Sequence, residues 1–154
     1  GKQDLDISIV GAGDAAFDNA LNLSQPNRVN IHNRSRRLKC LPHLYEEVIA
    51  DENITYKENY VVNKVSRRNK YLEIIWDNAG ESVSEIADYL ITAIGREPNL
   101  DCLGMDVCEQ MTELEKQGKL FMIGDVTNGI NRQEGISIGD GLAAAMEINK
   151  KLKE

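Results

Sequence analysis

The stretch "SIVGAGDAAF", residues 8–17, decides the fold that this sequence predicts. An apolar run ends at Gly11, and Gly13 and Ala16 complete the pattern G-x-G-x-x-[GA] at the start of a helical spacing. In such a turn the first glycine permits a sharp bend, the second lets the backbone approach a pyrophosphate, and the small third residue lets helix and strand pack closely. The pattern predicts a dinucleotide-binding α/β unit. An ordinary strand-to-helix turn is the alternative.

The residues around this turn predict the rest of an α/β domain. The predicted elements are strands at 5–10, 28–32, 89–94 and 119–123, helices at 15–24, 42–51 and about 136–152, and weak helical character at 104–117. Short alternating runs after Asn53 predict a three-stranded antiparallel meander within 54–77. A nucleotide-binding domain is expected at 1–98. The segment at 99–154 has too few strands to form a sheet and is expected to lean on another domain.

Composition restricts the class of protein. The chain has 154 residues, 42% of them hydrophobic, and a net charge of −7, which argues against nucleic acid as the main partner. It contains no apolar run of membrane-spanning length and no basic-then-apolar start, so a cytoplasmic protein that does not enter a membrane is expected. Cys40, Cys102 and Cys108 have neither C-x-x-C nor metal-site spacing. We expect reduced thiols and no metal site.

The segment after the second predicted strand is strongly basic. No acidic residue lies between Asn19 and Tyr45. The basic residues there are Arg28, Arg34, Arg36, Arg37 and Lys39. A carboxylate at this place would bind the 2′-hydroxyl of NAD, whereas guanidinium groups hold the 2′-phosphate of NADP by forked hydrogen bonds. The sequence predicts NADP selectivity carried by Arg34 and Arg36, with a solvated basic loop as the alternative. His32 is expected to be structural, with a minor contact to the adenosine end.

Two further stretches, "AIGREPN" at 93–99 and "IGDVTNGINRQEGISIGDG" at 123–141, carry a family resemblance. Together with "GAGDAA" and "IHNRSRR", they resemble the low-molecular-weight thioredoxin reductases of the pyridine nucleotide-disulfide oxidoreductase superfamily. The resemblance covers nearly the whole chain. It implies an α/β fold, with a Rossmann-like NAD(P)-binding domain and its three-stranded β-meander followed by the C-terminal piece of an FAD-binding domain. It also implies that hydride passes from NADPH to FAD and on to a disulfide.

The resemblance implies two groups of cofactor-binding residues and no catalytic acid, base or nucleophile. Asp125, after Gly124, resembles the aspartate that hydrogen-bonds the flavin ribityl chain. Arg132 and Gln133 resemble the pair beside the isoalloxazine, and the backbone from Glu134 resembles a helix start near the flavin carbonyls. The NADPH group comprises Gly11, Gly13, Asp14, Ala15, Ala16, Asn33, Arg34, Ser35, Arg36, Ile94, Gly95 and Arg96.

Three departures from the family leave other interpretations open. Glu134 stands where the family has a small apolar residue, the linker at 100–119 is short, and the first half of the FAD domain is missing. FAD is therefore expected to bind only with that N-terminal half, supplied in cis or in trans. A thioredoxin-like disulfide protein or a ferredoxin is the expected acceptor, and a homodimer the expected assembly. A ferredoxin–NADP reductase of the same family and a non-catalytic nucleotide-binding module are the alternative functions.

Overall fold

The computed structural model describes residues 3–129 and 131–153, which form two compact units, one ending at Gly95 and the other beginning at Arg96. The first unit contains β1 (Asp6–Val10), α1 (Asp14–Leu23), β2 (Arg28–Asn33), α2 (Pro42–Ala50), β3 (Ile54–Glu58), β4 (Tyr60–Arg68), β5 (Tyr71–Asn78), β6 (Glu81–Ala87) and β7 (Tyr89–Thr92). The second contains α3 (Met105–Glu109), α4 (Met111–Lys116), a 3-10 helix (Gly124–Val126) and α5 (Glu134–Lys151). Within the described ranges, no helix is long and apolar enough to cross a membrane.

Four strands of the first unit form a parallel sheet in the order β3–β2–β1–β7. Ile7 and Ile9 of β1 are buried together with Phe17 of α1 and Val48 of α2. Full burial of each of these side chains stabilises the fold by roughly 1.5–3 kcal/mol relative to its exposure. This apolar cluster holds the two helices on one face of the sheet.

The antiparallel meander β4–β5–β6 lies on the other face of the parallel sheet. Because side chains alternate along a strand, Val10 points away from the face that carries Ile7 and Ile9. Val10 packs against a second buried cluster, which contains Ile74 and Trp76 of β5. The parallel sheet is therefore a middle layer, between the two helices and the meander.

The predicted α/β class, with a parallel sheet and a three-stranded antiparallel meander, is confirmed. The predicted strand membership of the meander is wrong. β3, predicted as its first strand, pairs in parallel with β2, from Val29 opposite Ile54 to Asn33 opposite Glu58. Its third strand is β6, which the sequence pattern did not indicate and which pairs with β5.

The predicted strand at 119–123 is also wrong. Residues 119–123 have no strand structure and pair with no strand in the part of the chain that the structure describes. The three predicted helices at 15–24, 42–51 and 136–152 are confirmed as α1, α2 and α5, with ends that differ by one or two residues.

Candidate nucleotide-binding site

The turn after β1 is held against the end of β7. Gly11 has a φ of +132°, a backbone conformation that residues with a side chain rarely adopt. An added Cβ would lie 2.2 Å from the carbonyl oxygen of Ala93. The Ala93 N–H donates to the Val10 carbonyl at 2.8 Å, and the Gly11 N–H donates to the His32 carbonyl at 3.0 Å. Gly11 therefore bonds to β2 while it touches the residue after β7, and only glycine fits there.

Gly13 has a different environment at the start of α1. Its backbone is extended, and an added Cβ would meet no described heavy atom within 4 Å. Gly13 is the N-cap residue of α1. Because glycine has no side chain, the cap residue gives the first N–H groups of the helix no hydrogen-bond acceptor from a side chain. Such a helix start attracts an anion, and a glycine there lets a pyrophosphate approach the backbone. Ala16, in the first turn of α1, is fully buried, so the helix packs closely on the sheet.

Asp14 ties the loop before α2 to this turn. Its Oδ1 accepts a hydrogen bond from the Leu41 N–H at 2.7 Å, and the Lys39 N–H donates to the Ala12 carbonyl at 3.0 Å. Ala15, beside Asp14, is exposed. Sequence reasoning missed this structural role of Asp14, because its partner lies 27 residues along the chain and no local pattern links the two.

Asn33 organises the basic loop at the end of β2. Its buried side chain donates to the Arg37 carbonyl at 3.1 Å and to the Tyr56 hydroxyl at 2.8 Å, and it accepts from the Ser35 N–H at 3.2 Å. Ser35 Oγ accepts the Arg37 N–H at 3.2 Å. Burial raises the pKa of the Tyr56 phenol, although the Asn33 hydrogen bond opposes this, so the partner of Asn33 is a neutral hydroxyl. These bonds fix the backbone that carries Arg34.

The arginines near this loop differ in their partners. Arg34 is exposed and forms no ion pair with any residue that the structure describes. Arg36 Nε lies 3.9 Å from Glu58 Oε2 at the end of β3. Sequence reasoning missed Glu58, which reaches the loop because β3 is the neighbour of β2 in the sheet. Arg28 begins β2 and pairs with Asp6 at 2.7 Å, at the opposite edge of the sheet from the loop.

Ile94 and Gly95 follow β7 directly. Ile94 is 73% exposed, and Gly95 has a φ of +89° with no described atom near an added Cβ. Because β7 is the parallel neighbour of β1, its carboxyl end lies at the same edge of the sheet as the Gly11 turn. The predicted residues that the structure brings to this edge are Gly11, Gly13, Asp14, Ala15, Ala16, Asn33, Arg34, Ser35, Arg36, Ile94 and Gly95.

A half-buried polar cluster centred on Glu85 of β6 joins the meander to the parallel sheet. The Glu85 carboxylate accepts hydrogen bonds from Ser8 Oγ, from His32 Nε2 at 3.0 Å and from Lys57 Nζ at 3.0 Å. Burial disfavours the ionised carboxylate. The hydrogen bonds from His32 and Ser8, attraction to His32 and the bond from Lys57 outweigh burial, and they lower the pKa of Glu85 to about 2.

The His32 side chain belongs to this cluster. It does not belong to the sheet edge that carries the Gly11 turn, the basic loop and Ile94, which we call the nucleotide edge. Its ring is fully buried and stacks on Trp76 with the ring centroids 3.8 Å apart, while the Tyr60 ring lies edge-on at 5.4 Å. The expectation of a structural histidine is therefore confirmed. The expected minor contact with the adenosine end is wrong, because the side chain has no exposed surface.

The residues predicted to contact flavin lie in the second unit, where two of them, Asp125 and Arg132, contact Arg96. Asp125 Oδ2 is 3.3 Å from Arg96 Nη2, and Ser137 Oγ donates to Asp125 Oδ1 at 3.4 Å. Arg132 Nη1 donates to the carbonyl oxygen of Arg96. Arg96, predicted as part of the NADPH group, is thus a partner of the predicted flavin residues.

The remaining predicted flavin residues are associated with α5: Gly124 bonds to it, and Gln133 and Glu134 lie at its start. The Gly124 N–H donates to the Asp140 carboxylate at 3.0 Å, which joins the 3-10 helix to α5. Gln133 directly precedes α5 and Glu134 is its first residue, and both are exposed. An acidic side chain at a helix start is stabilised by the N-terminal end of the helix dipole. The Glu134 carboxylate therefore lies at the start of α5, where it would compete with a bound anion for the backbone N–H groups of the helix.

The arrangement in the first unit defines a class of protein. A Gly-rich turn at the carboxyl end of a central parallel strand, with a loop from the neighbouring strand beside it, is the arrangement of α/β dinucleotide-binding folds. Comparison with known families narrows that class. The model of the pyridine nucleotide-disulphide oxidoreductase family matches residues 2–138, and the chain belongs to this family.

Thioredoxin reductases resemble the chain in sequence and in fold. The chain is 28% identical over 163 aligned residues to the thioredoxin reductase of Chlamydia trachomatis serovar D, which covers 98% of this chain and 52% of that protein. The structure of the Lactococcus lactis thioredoxin reductase matches with a TM-score of 0.76 at 21% identity, over 96% of this chain and 53% of that one. The structure of the T. acidophilum thioredoxin reductase matches with a TM-score of 0.72 at 19% identity, over 97% of this chain and 53% of that one. The chain spans about half the length of these relatives.

Proposed function

We propose that this chain is the NADPH-binding part of a thioredoxin reductase-like flavoprotein oxidoreductase. One observation carries the proposal: the Gly11–Gly13 turn lies at the same edge of the parallel sheet as the exposed Arg34, which has no ion-pair partner among the described residues. The family match and the thioredoxin reductase relatives support it. Because the chain spans about half of those relatives, the reaction of the complete enzyme is part of the proposal.

The residues at this edge fit a bound NADPH. The open side of Gly13 and the first N–H groups of α1 would hold the pyrophosphate. Arg34 would bind the 2′-phosphate, since its guanidinium has no competing carboxylate among the described residues. Arg36 is exposed and forms a long surface ion pair with Glu58, with which a 2′-phosphate would compete. Ile94 and Gly95 would form the wall of the site on the side of β7.

The chain's own residues bind and orient, while the cofactor supplies the redox chemistry. A bound nicotinamide would supply hydride, and the part left to the protein would be to position the acceptor ring, without an acid or base. Gly124, Asp125, Arg132, Gln133 and Glu134 would contribute one side of an FAD site. The other half of the FAD domain would be supplied in cis or in trans, and a thioredoxin-like protein would accept the electrons.

The experiment that tests this proposal compares NADPH and NADH binding to the purified chain by calorimetric titration. NADPH should bind more tightly, and Arg34→Ala should weaken its binding by about 1–3 kcal/mol, the scale of a charge-assisted hydrogen bond. NADH affinity should change little. Arg67→Ala is the matched control, because Arg67 is an exposed arginine on the meander.

Equal affinities for NADPH and NADH in the unmodified chain would overturn the assignment of the basic loop to the 2′-phosphate. An equal loss of NADPH affinity in Arg34→Ala and Arg67→Ala would show a general charge effect and would contradict the specific role of Arg34. Nucleotide binding without electron transfer from NADPH to an artificial acceptor, in the presence of FAD and the other half of its domain, would favour a non-catalytic module.

A further inference from the structure

His32 links the half-buried Glu85 cluster to the nucleotide edge, because its side chain bonds to one and its backbone to the other. The His32 side chain bonds to Glu85, and its carbonyl oxygen accepts the Gly11 N–H at 3.0 Å. The next residue, Asn33, holds the loop that carries Arg34. A displacement of His32 would therefore be felt on both sides of the site, at the Gly-rich turn and at the basic loop.

Lys57 makes a second connection from the same carboxylate, through β3. Its ammonium donates to Glu85 at 3.0 Å. The residue before it, Tyr56, accepts the hydrogen bond from Asn33, and the residue after it, Glu58, pairs with Arg36. The ends of β2 and β3 that shape the basic loop are thus both anchored to one side chain of the meander.

A carboxylate suits this position better than a neutral group of the same shape. Three donors converge on Glu85, from Ser8 on β1, His32 on β2 and Lys57 on β3. An amide that accepts from His32 and Lys57 through its one oxygen would present its NH₂ to the Ser8 hydroxyl, which can also accept, but it has no negative charge for the Lys57 ammonium. The charge-assisted bond from Lys57 would weaken, and the ends of β2 and β3 would be held less firmly.

We propose that Glu85 is a positioning residue for cofactor selectivity, which fixes the ends of β2 and β3 through His32 and Lys57 and thereby sets the loop that presents Arg34. Glu85 itself does not reach the nucleotide edge. The apolar contacts of Ile74, Trp76 and Ala87 dock the meander independently of the charge. This inference rests on the proposed NADPH site.

The test combines a binding measurement with one that needs no cofactor. Glu85→Gln should reduce the ratio of NADPH to NADH affinity by about tenfold, through a misplaced charge-assisted hydrogen bond from Arg34. In the cofactor-free protein, the amide protons of Ser35 and Arg37 should exchange with solvent about tenfold faster, because their side-chain acceptors are no longer held in place.

Two further variants complete the design. Lys57→Met removes one of the two connections at a partly exposed side chain and should produce a smaller change in the same direction. Glu73→Gln is the matched control, because Glu73 lies on β5 of the same meander and pairs with exposed Arg68. It should leave both the affinity ratio and the exchange rates unchanged.

The outcomes separate this inference from the proposed function. Faster exchange at Ser35 and Arg37 supports the positioning role even if the unmodified chain does not distinguish NADPH from NADH, a result that would overturn only the proposed selectivity. A Glu85→Gln protein that is less stable but keeps the affinity ratio and the exchange rates would overturn the inference. If Glu85→Gln does not fold, unchanged values in Lys57→Met would overturn it.

Discussion

Gly11 and Gly13 lie two residues apart, yet they are glycine for different physical reasons. An alanine Cβ at Gly11 would collide with the Ala93 carbonyl in a backbone region that alanine avoids. At Gly13 the backbone is extended and the space around an added Cβ is open. The first glycine is therefore required by the fold, whereas the second leaves room for a ligand.

Exchanging each glycine for alanine should separate these two reasons. Gly11→Ala should lower the free energy of unfolding by about 2–4 kcal/mol, since both the φ angle and the contact with Ala93 are unfavourable. Gly13→Ala should change it by no more than about 0.5 kcal/mol. NADPH affinity should nevertheless fall about tenfold in Gly13→Ala, because the methyl group occupies the pyrophosphate's approach.

Urea unfolding and NADPH titration of the two variants provide the measurements. Unchanged NADPH affinity in a stable Gly13→Ala protein would contradict the placement of the pyrophosphate at this turn. A Gly11→Ala protein as stable as the unmodified chain would show that the turn can move away from β7.

The residues of the Gly-rich turn and the basic loop could be predicted from the sequence because their pattern is local. Glu58 could not, since it approaches Arg36 only through the pairing of β3 with β2. The role of Asp14 was hidden for the same reason, because Leu41 is brought to it by the fold. Local spacing predicts what a turn can bind, and tertiary pairing decides which charges surround it.

Among the secondary-structure elements, β6 shows why the strands of the meander were predicted incorrectly. Its sequence, "ESVSEIA", places a glutamate at a position that faces the interior, between Val83 and Ala87. Strand prediction expects apolar residues on the inward face, and a half-buried carboxylate with three donors breaks that pattern. β3 looked like a meander strand because "ITYKE" mixes polar and apolar residues. It does so because it is the edge strand of the parallel sheet.

The predicted strand at 119–123 shows the opposite limit. An apolar run has the composition of a strand, but a strand requires a neighbour to satisfy its backbone hydrogen bonds. The described part of the second unit contains helices and no sheet that could supply this neighbour. The backbone N–H groups of Lys119 and Leu120 instead donate to the Leu114 carbonyl at the end of α4, at 2.9 and 3.2 Å.

The Glu85 contact between the meander and the parallel sheet should make the free energy of unfolding depend on pH. The pKa of Glu85 is lowered from an ordinary 4.5 to about 2 in the folded chain. Its contribution is therefore fully present above pH 4.5 and is lost as the pH falls towards 2. The whole shift corresponds to roughly 3 kcal/mol at most.

The free energy of unfolding, measured in urea from about pH 6 down to about pH 3, should be steady above about pH 4.5 and should fall below it. The stability difference between the unmodified chain and Glu85→Gln should narrow as the pH falls. Glu73→Gln is the control on the same meander, because its ion pair is formed with exposed Arg68. A stability difference for Glu85→Gln that stays constant over the whole range would contradict the lowered pKa.

The molecule as a whole consists of two compact units, and the second exposes apolar surface. Leu142 and Met146 of α5 are 64% and 73% exposed. In the sequence, the residues after 98 contain too few strands to form a sheet, and their packing on another domain stays a prediction. What the sequence could not predict is that Arg96 pairs with Asp125, since that contact depends on how the second unit folds.

The purified 154-residue chain should therefore be colourless. FAD affinity comes largely from a pyrophosphate seated on a Gly-rich turn and from burial of the adenosine and flavin rings, and the second unit offers only Asp125 and its neighbours. Adding a polypeptide that supplies the other half of the FAD domain should turn the solution yellow. Absorbance spectra before and after mixing test this. Stoichiometric FAD in the chain alone would show that the Gly11–Gly13 turn holds flavin.

Trp76 is the only tryptophan in the chain, and its ring is stacked on His32 inside the first unit. Tryptophan fluorescence consequently has one emitter, placed between the meander and the parallel sheet, and none in the second unit. A fluorescence unfolding curve follows the first unit alone, whereas circular dichroism also records the 18 residues of α5. Coincident curves would mean that the two units unfold together, and separated curves that they unfold as independent bodies.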